Sequence, residues 1–251
     1  MVRQIAKSLL NRAGFERTAP DRLQAAFADS DGQAIFFLHI GKNAGTQIRH
    51  LLEQIMARGE GPFVSVPHRQ KFEDLPDGAR YFFSIRDPIE RFRSGFYSRK
   101  RRGAPRVTNE WTAHEARAFA RFEHANELAE ALFMSGETGD AAWAAAQSIS
   151  HNAMHQSDWF ASNGFALETS PPIAIIRAEH LEDDFATFLR RAGLKTAMSD
   201  LEITKDPIRS HANDYSAAPP LSERARENLQ RWYARDIAFY SLCSRWIDGE
   251  S

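Results

Sequence analysis

One cysteine, Cys243, stands in a chain of 251 residues. That count excludes an intramolecular disulfide framework and fits a reducing compartment. Neither sign of charge prevails, with 32 Lys and Arg against 33 Asp and Glu, so no global field draws the chain to nucleic acid or to a strongly anionic surface. No apolar run is long enough to span a bilayer, and "MVRQIAKSLLNRAGF" has too short an apolar stretch for a signal peptide and no small-residue cleavage site. A soluble, cytoplasmic protein is the expectation. Internal repeats and low-complexity segments are missing as well. The nine histidines give no metal-pair pattern backed by a carboxylate, and no metal is expected.

Buried-strand signatures spaced by amphipathic stretches are what the chain does have. "AIFFLHI" (34–40) is an apolar run between glycines, which suits a strand covered on both faces. "TQIRHLLEQIM" then puts Ile48, Leu51, Leu52 and Ile55 on one helical face. "ARYFFSI" (79–85) repeats the strand signature, and Asp87 with Pro88 supplies an N-cap and a first-turn proline for a helix with Ile89, Phe92 and Phe96 inward. Alanine-rich segments from Thr112 to Phe133 and from Asp140 to about Ala153 read as two further helices. "PIAIIRA" (172–178) is a third strand, followed by a helix from Leu181 to Ala192 closed by Gly193. "LSERARENLQRWYARDIAFYSLC" reads as one long helix. The fold class is therefore α/β, a parallel sheet with helices on both faces, and the length suits a single domain over residues 1–251, with residues 1–30 as a helical extension.

Between the first strand and its helix lies Gly41, Lys42, Asn43, Ala44, Gly45, Thr46. A glycine-bearing loop at such a corner aims backbone N–H groups, the positive end of the helix and here a lysine at one point, which suits a phosphate. The common phosphate loop places lysine after its second glycine, whereas Lys42 precedes Gly45. A purely structural reading, with two turn glycines and a solvated lysine, stays open. The second constellation is "RDPIERFRSGFY": Arg86 at a strand end and Ser94 two turns into the next helix form a clamp for a second phosphate. The alternative is Arg86 paired with Asp87 or Glu90 and Ser94 as packing. Taken together, the two sites ask for a ligand with separated phosphates.

These residues resemble the sulfotransferases that use 3′-phosphoadenosine 5′-phosphosulfate (PAPS), in particular the carbohydrate 2-O- and 4-O-sulfotransferase branch. "FLHIGKNAGT" is similar to the phosphosulfate loop of that family, with Gly41 in place of proline and Asn43 in place of threonine; "IRDPIERFRSGFY" is similar to its 3′-phosphate motif. "HQSDWF", "IIRAEHLEDDFATFLRRAGL" and the late helix follow in the family's order, so the likeness runs from about Ile35 to Leu242. The resemblance implies a P-loop-like three-layer fold and in-line transfer of a sulfuryl group to an acceptor hydroxyl, on a glycan, glycolipid or small glycoside. It implies that Lys42 neutralises the departing phosphate oxygen, that the loop residues Gly41, Asn43, Ala44, Gly45 and Thr46 hold the 5′-phosphate, that Arg86 and Ser94 hold the 3′-phosphate, and that Arg209 and Ser210 in "KDPIRSHANDYS" form a lid. The donor is PAPS and no metal is required. For the general base it points to His68 in "SVPHRQKFEDLP", with His39 and His155 as competitors and Glu90 a poor candidate.

His155 and Gln156 are read as acceptor contacts, with interior packing as the alternative. The basic run Arg99 to Arg102 reads as a solvated helix end or, on the second reading, as a patch for an acidic acceptor or a peripheral membrane contact. Two rival functions remain: a P-loop-like nucleotide kinase and a nucleotide-binding module without catalysis.

Overall fold

The computed structural model describes residues 19–104, 108–160, 166–204 and 218–249. Four strands, β1 (Ile35–Leu38), β2 (Phe63–Val66), β3 (Arg80–Ile85) and β4 (Ile175–Arg177), form one parallel sheet in the order β2-β1-β3-β4. Ile35 pairs with Phe63 on one side and Arg80 on the other, and Phe83 with Ile175. Alternation along β1 assigns its two faces. Ile35 and Phe37 pack with Ile48, Leu51, Leu52 and Ile55 of α2 (Gly45–Ala57) and with Phe185, Phe188 and Leu189 of α9 (Leu181–Ala192). Phe36 and Leu38 pack on the opposite face with Leu23 of α1 (Ala19–Asp29) and with Phe239 and Cys243 of α11 (Ala234–Asp248). Both faces are covered, which is why the strands read as unbroken apolar runs.

A helical cluster adjoins the sheet. It joins Phe92, Phe96 and Tyr97 of α3 (Pro88–Lys100) to residues of α4 (Ala113–Arg121), α5 (Ala125–Ala131), α6 (Glu137–Ser148) and α10 (Glu223–Trp232). The short helices α7 (Ser150–Ala153) and α8 (Ala166–Thr169) complete the set. The start of α3 follows its sequence signal: Asp87 Oδ1 accepts from the N–H groups of Ile89 and Glu90 at 2.9 Å, with Pro88 in the first turn. Gly193 closes α9 at φ 75°.

Four expectations change. The helix expected from Asp140 to about Ala153 is α6 followed by α7, with the extended and fully buried Ile149 between them. β2 was not anticipated, because "FVSV" buries only its first and last side chains and carries too short a pattern to separate from a loop. The segment expected as one helix from Thr112 to Phe133 is α4 and α5. Phe122 is extended and buried between them, and the Glu127 carboxylate restarts the helix by accepting from the N–H groups of Glu123 and His124. The long last helix likewise breaks at Tyr233, a fully buried side chain whose hydroxyl donates to Asn152 O at 3.0 Å. None of the helices among the described residues is long and apolar enough to cross a membrane.

Candidate active site

All four strands end on the same side of a parallel sheet, and their carboxyl ends supply the walls of one cleft, as open α/β sheets dictate. Its volume is about 640 Å³, and its lining takes His39, Lys42 and Thr46 after β1, His68 after β2, Arg86 after β3 and Glu179 after β4. From α3 come Ser94, Ser98 and Arg99.

The loop after β1 is held in a costly shape. Lys42 and Ala44 have left-handed backbones at φ 71° and 59°, a conformation that costs a non-glycine residue about 1–3 kcal/mol and persists only where the surroundings impose it. Here they do. Asn43 Nδ2 donates to Ser84 O at 2.8 Å and to Gln156 Oε1 at 2.7 Å, Ser84 Oγ donates to Asn43 O at 2.6 Å, and Arg91 Nε donates to Gly41 O at 3.0 Å. Gly45 then opens α2 with no side-chain cap at Ala44, so the first-turn N–H groups are left for a ligand. A side chain at Gly45 has no room: its Cβ would lie 1.7 Å from His39 Nε2.

Lys42 reaches across the cleft and donates to Ser98 Oγ at 2.8 Å. Burial and the charges of Arg101, Arg86 and Arg91 lower its pKa to about 8. Arg86 lines the cleft, and its guanidinium makes no ion pair or hydrogen bond among the described residues; the backbone alone is held, Gln156 Oε1 accepting from Arg86 N at 3.0 Å and Gln156 Nε2 donating to Arg86 O at 2.8 Å. The expected alternative, Arg86 paired with Asp87 or Glu90, does not occur: Asp87 caps α3 and Glu90 pairs with Arg93. Ser94 is nearly buried, one turn before Ser98 on the same face.

The His68 and His39 rings are in contact, with centroids 3.9 Å apart and planes tilted by 43°. His68 Nδ1 lies 3.1 Å from His39 O, so Nδ1 carries the proton of the neutral ring and Nε2 the lone pair. Burial lowers the His68 pKa, with Arg49 and Lys42 adding to it against the carbonyl contact. His39 is itself nearly buried, and desolvation with His68, Arg49 and Lys42 holds it down at about 2.

Several sequence readings shift. Asn43 is fully buried, with its side chain turned to Ser84 and Gln156 rather than to the cleft, so it braces the loop from behind. Gln156 is also fully buried: its amide ties the loops after β1 and β3 together, and its N–H donates to Asp236 Oδ2 at 2.8 Å. His155 sits against Asp236, 3.7 Å away, and the Tyr233 ring. Both residues are therefore scaffold side chains in this structure, outside the cleft lining. Arg99 is no solvated charge either; it is buried in a two-pronged pair with Glu115 at 2.7 Å. Lys100 pairs with Glu123 and Arg102 with Glu110. Arg209 and Ser210 lie outside the described residues. The sequence reading missed Arg49, Ser98 and His151 in the cleft wall and Arg91 beneath it. Ser98 alone had a signal, four residues after Ser94.

Among the described residues no group of three or more His, Cys, Asp or Glu side chains is placed to hold a metal ion. No curated protein sequence matches the chain. A sequence profile described as the sulfotransferase family matches residues 26–242, a span that takes in the loop after β1, the β3–α3 corner and all four strands, and on that match the chain belongs to the sulfotransferase family.

Proposed function

We propose that the protein transfers a sulfuryl group from PAPS to a hydroxyl of a carbohydrate, glycolipid or small glycoside, with His68 as general base. The family supplies sulfuryl transfer; the donor, the acceptor class and the residue roles are the proposal. Its main support is the convergence of Lys42 and the Arg86 guanidinium, unpaired among the described residues, on one cleft from two neighbouring strand ends. A cytoplasmic setting belongs to the same reading, on the strength of the single cysteine.

The residues fit a donor with two separated phosphate groups. Lys42, Gly45 and Thr46 surround an uncapped helix start, where an anion gains from N–H donors and the helix dipole. Arg86 and Ser94 offer a guanidinium and a hydroxyl to a second anion. When bound, the donor supplies an activated sulfuryl group and a phosphate leaving group. In such a loose transfer the protein contributes positioning and charge stabilisation. Lys42 faces the charge that builds on the departing oxygen, and His68 Nε2 takes the proton of the attacking hydroxyl. Arg209 and Ser210 keep their proposed place as a lid, on resemblance alone.

Calorimetry with adenosine 3′,5′-bisphosphate, ADP and ATP tests the donor. The bisphosphate should bind best, and Arg86→Ala should weaken it selectively. Preference for ATP would favour a kinase, and an unchanged ratio of bisphosphate to ADP affinity in Arg86→Ala would remove the clamp. Incubation of labelled donor with cell extract, followed by identification of the labelled product, tests the acceptor class.

A further inference from the structure

Three imidazoles line the cleft, and they are not equivalent. His39 is nearly buried with its ring against Gly45, and His68 is bonded to the His39 carbonyl. His151 lines the cleft, yet its ring makes no hydrogen bond to any described residue. The backbone beneath it is clamped. Asn152 Nδ2 donates to Phe92 O at 3.1 Å, Tyr233 OH donates to Asn152 O at 3.0 Å, and Ile149 is fully buried just before α7. Gly95 of α3 permits the close approach, since a Cβ there would lie 2.2 Å from Asn152 Oδ1. A fixed short helix thus presents a half-buried polar ring, with no partner among the described residues, to a cation-lined cleft, where a ligand oxygen can take its N–H.

Position says which part of the ligand that is. A Cβ on Gly41 would lie 3.8 Å from His68 Nδ1 and 3.9 Å from His151 Nδ1, so the two rings flank the first residue of the loop that carries Lys42. Burial, then Lys42, Arg91, Arg99 and His68, lower the His151 pKa to about 3. At neutral pH it is a neutral imidazole with one N–H donor and one lone pair, far too weak a base for the acceptor proton.

We infer that His151 is a further catalytic residue, its N–H donating a hydrogen bond to a non-bridging oxygen of the sulfuryl group as that group is transferred. This rests on the proposed donor. No bond is made or broken at His151 and no proton leaves it; the ring stabilises charge spread over the sulfuryl oxygens, in a site where removal of one such donor costs about 10²–10³ in rate.

The experiment uses full-length His151→Ala and His151→Gln. Affinity for adenosine 3′,5′-bisphosphate is measured by calorimetry, and loss of the sulfuryl group from PAPS to water is followed without acceptor. The bisphosphate lacks the sulfuryl group, so its affinity should hold in both variants, while sulfuryl loss should fall about 10²-fold in His151→Ala. His151→Gln keeps an N–H donor and should recover much of the rate. A His151→Ala enzyme with wild-type affinity and wild-type rate overturns the inference. Loss of bisphosphate binding in both variants also overturns it, since His151 would then serve the fold. Failure of the wild type to bind either nucleotide would instead refute the donor assignment.

Discussion

Lys42 Nζ donates to Ser98 Oγ at 2.8 Å, so the cation of the loop after β1 rests on a neutral hydroxyl of α3, with no carboxylate partner among the described residues. Arg101, Arg86 and Arg91 all bear on it, and after burial Arg101 is the largest influence lowering its pKa to about 8. The charged lysine is required for turnover in the proposed role, so kcat/KM should fall as pH rises through about 8. Bound anionic donor favours the ammonium, and the basic limb of kcat should lie higher than that of kcat/KM. Arg101→Ala removes a like charge and should move the kcat/KM limb to higher pH. A limb that stays in place would show that Arg101 does not tune Lys42.

Gly45 is set by space. Its missing Cβ would overlap His39, 1.7 Å from Nε2 and 2.2 Å from Cδ2, and His39 is itself stacked on Phe37 and held against the tilted ring of His68. Gly45→Ala should therefore cost about 1–3 kcal/mol or more through overpacking, read as a lower denaturant midpoint with unchanged slope. The pair Gly45→Ala with His39→Ala should be less destabilised than the sum of the single changes, because the contact is shared. Additive losses would place the strain elsewhere.

Lys42, Gly45, Thr46, Arg86 and Ser94 were legible in the sequence because each stands beside a local signal, a strand end, a glycine or an N-cap proline, whereas His68 was singled out by the family resemblance. The cleft they line is the common carboxyl edge of the sheet. Arg91, Gln156 and His151 were not legible in their observed places. Arg91 acts through the carbonyls of Gly41 and Met154, Gln156 through backbone atoms of Arg86 and the Asn43 amide, and His151 through helix packing around Gly95. These are contacts between residues far apart in the chain, and no spacing rule encodes them. His151 and His155 lie four residues apart on paper, but α7 ends between them, and one ring lines the cleft while the other meets Asp236 and Tyr233.

Glu115 and Arg99 form a buried hub at the base of the cleft. Glu115 Oε1 and Oε2 accept from Arg99 at 2.7 Å, and Glu115 also accepts from the N–H groups of Thr112 and Ser150. Burial alone would raise the Glu115 pKa, but the Arg99 hydrogen bonds, the Thr112 and Ser150 N–H groups and the Arg99 charge outweigh it and hold it at about 2. A carboxylate depressed in the folded state stabilises above its ordinary value of about 4.3, and that contribution is lost as pH falls toward about 2. Glu115→Ala strands the Arg99 guanidinium and should cost about 3–5 kcal/mol at neutral pH. Equilibrium unfolding between pH 7 and pH 3 should show the wild type losing stability over the acidic range and Glu115→Ala losing less, with the two curves converging. Parallel curves would mean that Glu115 does not carry this acid sensitivity.

His68 carries the last prediction. Its Nδ1 is committed to the His39 carbonyl at 3.1 Å, which leaves Nε2 as the proton acceptor, and a positioned base of this kind contributes about 10²–10⁴ in rate. His68→Ala should lower turnover by that factor while adenosine 3′,5′-bisphosphate still binds. Burial, Arg49 and Lys42 together outweigh the carbonyl contact and lower the His68 pKa, so the acidic limb of kcat/KM should fall below about 6.5, the ordinary histidine value. As pH drops through that lowered value the ring takes a proton from solvent and can no longer take one from the acceptor, so activity is lost on the acid side. Arg49→Ala removes a charge that opposes protonation, and it should move the limb upward, toward neutrality. Near-normal turnover by folded His68→Ala, with the acidic limb where the wild type has it, would take the role of base away from His68.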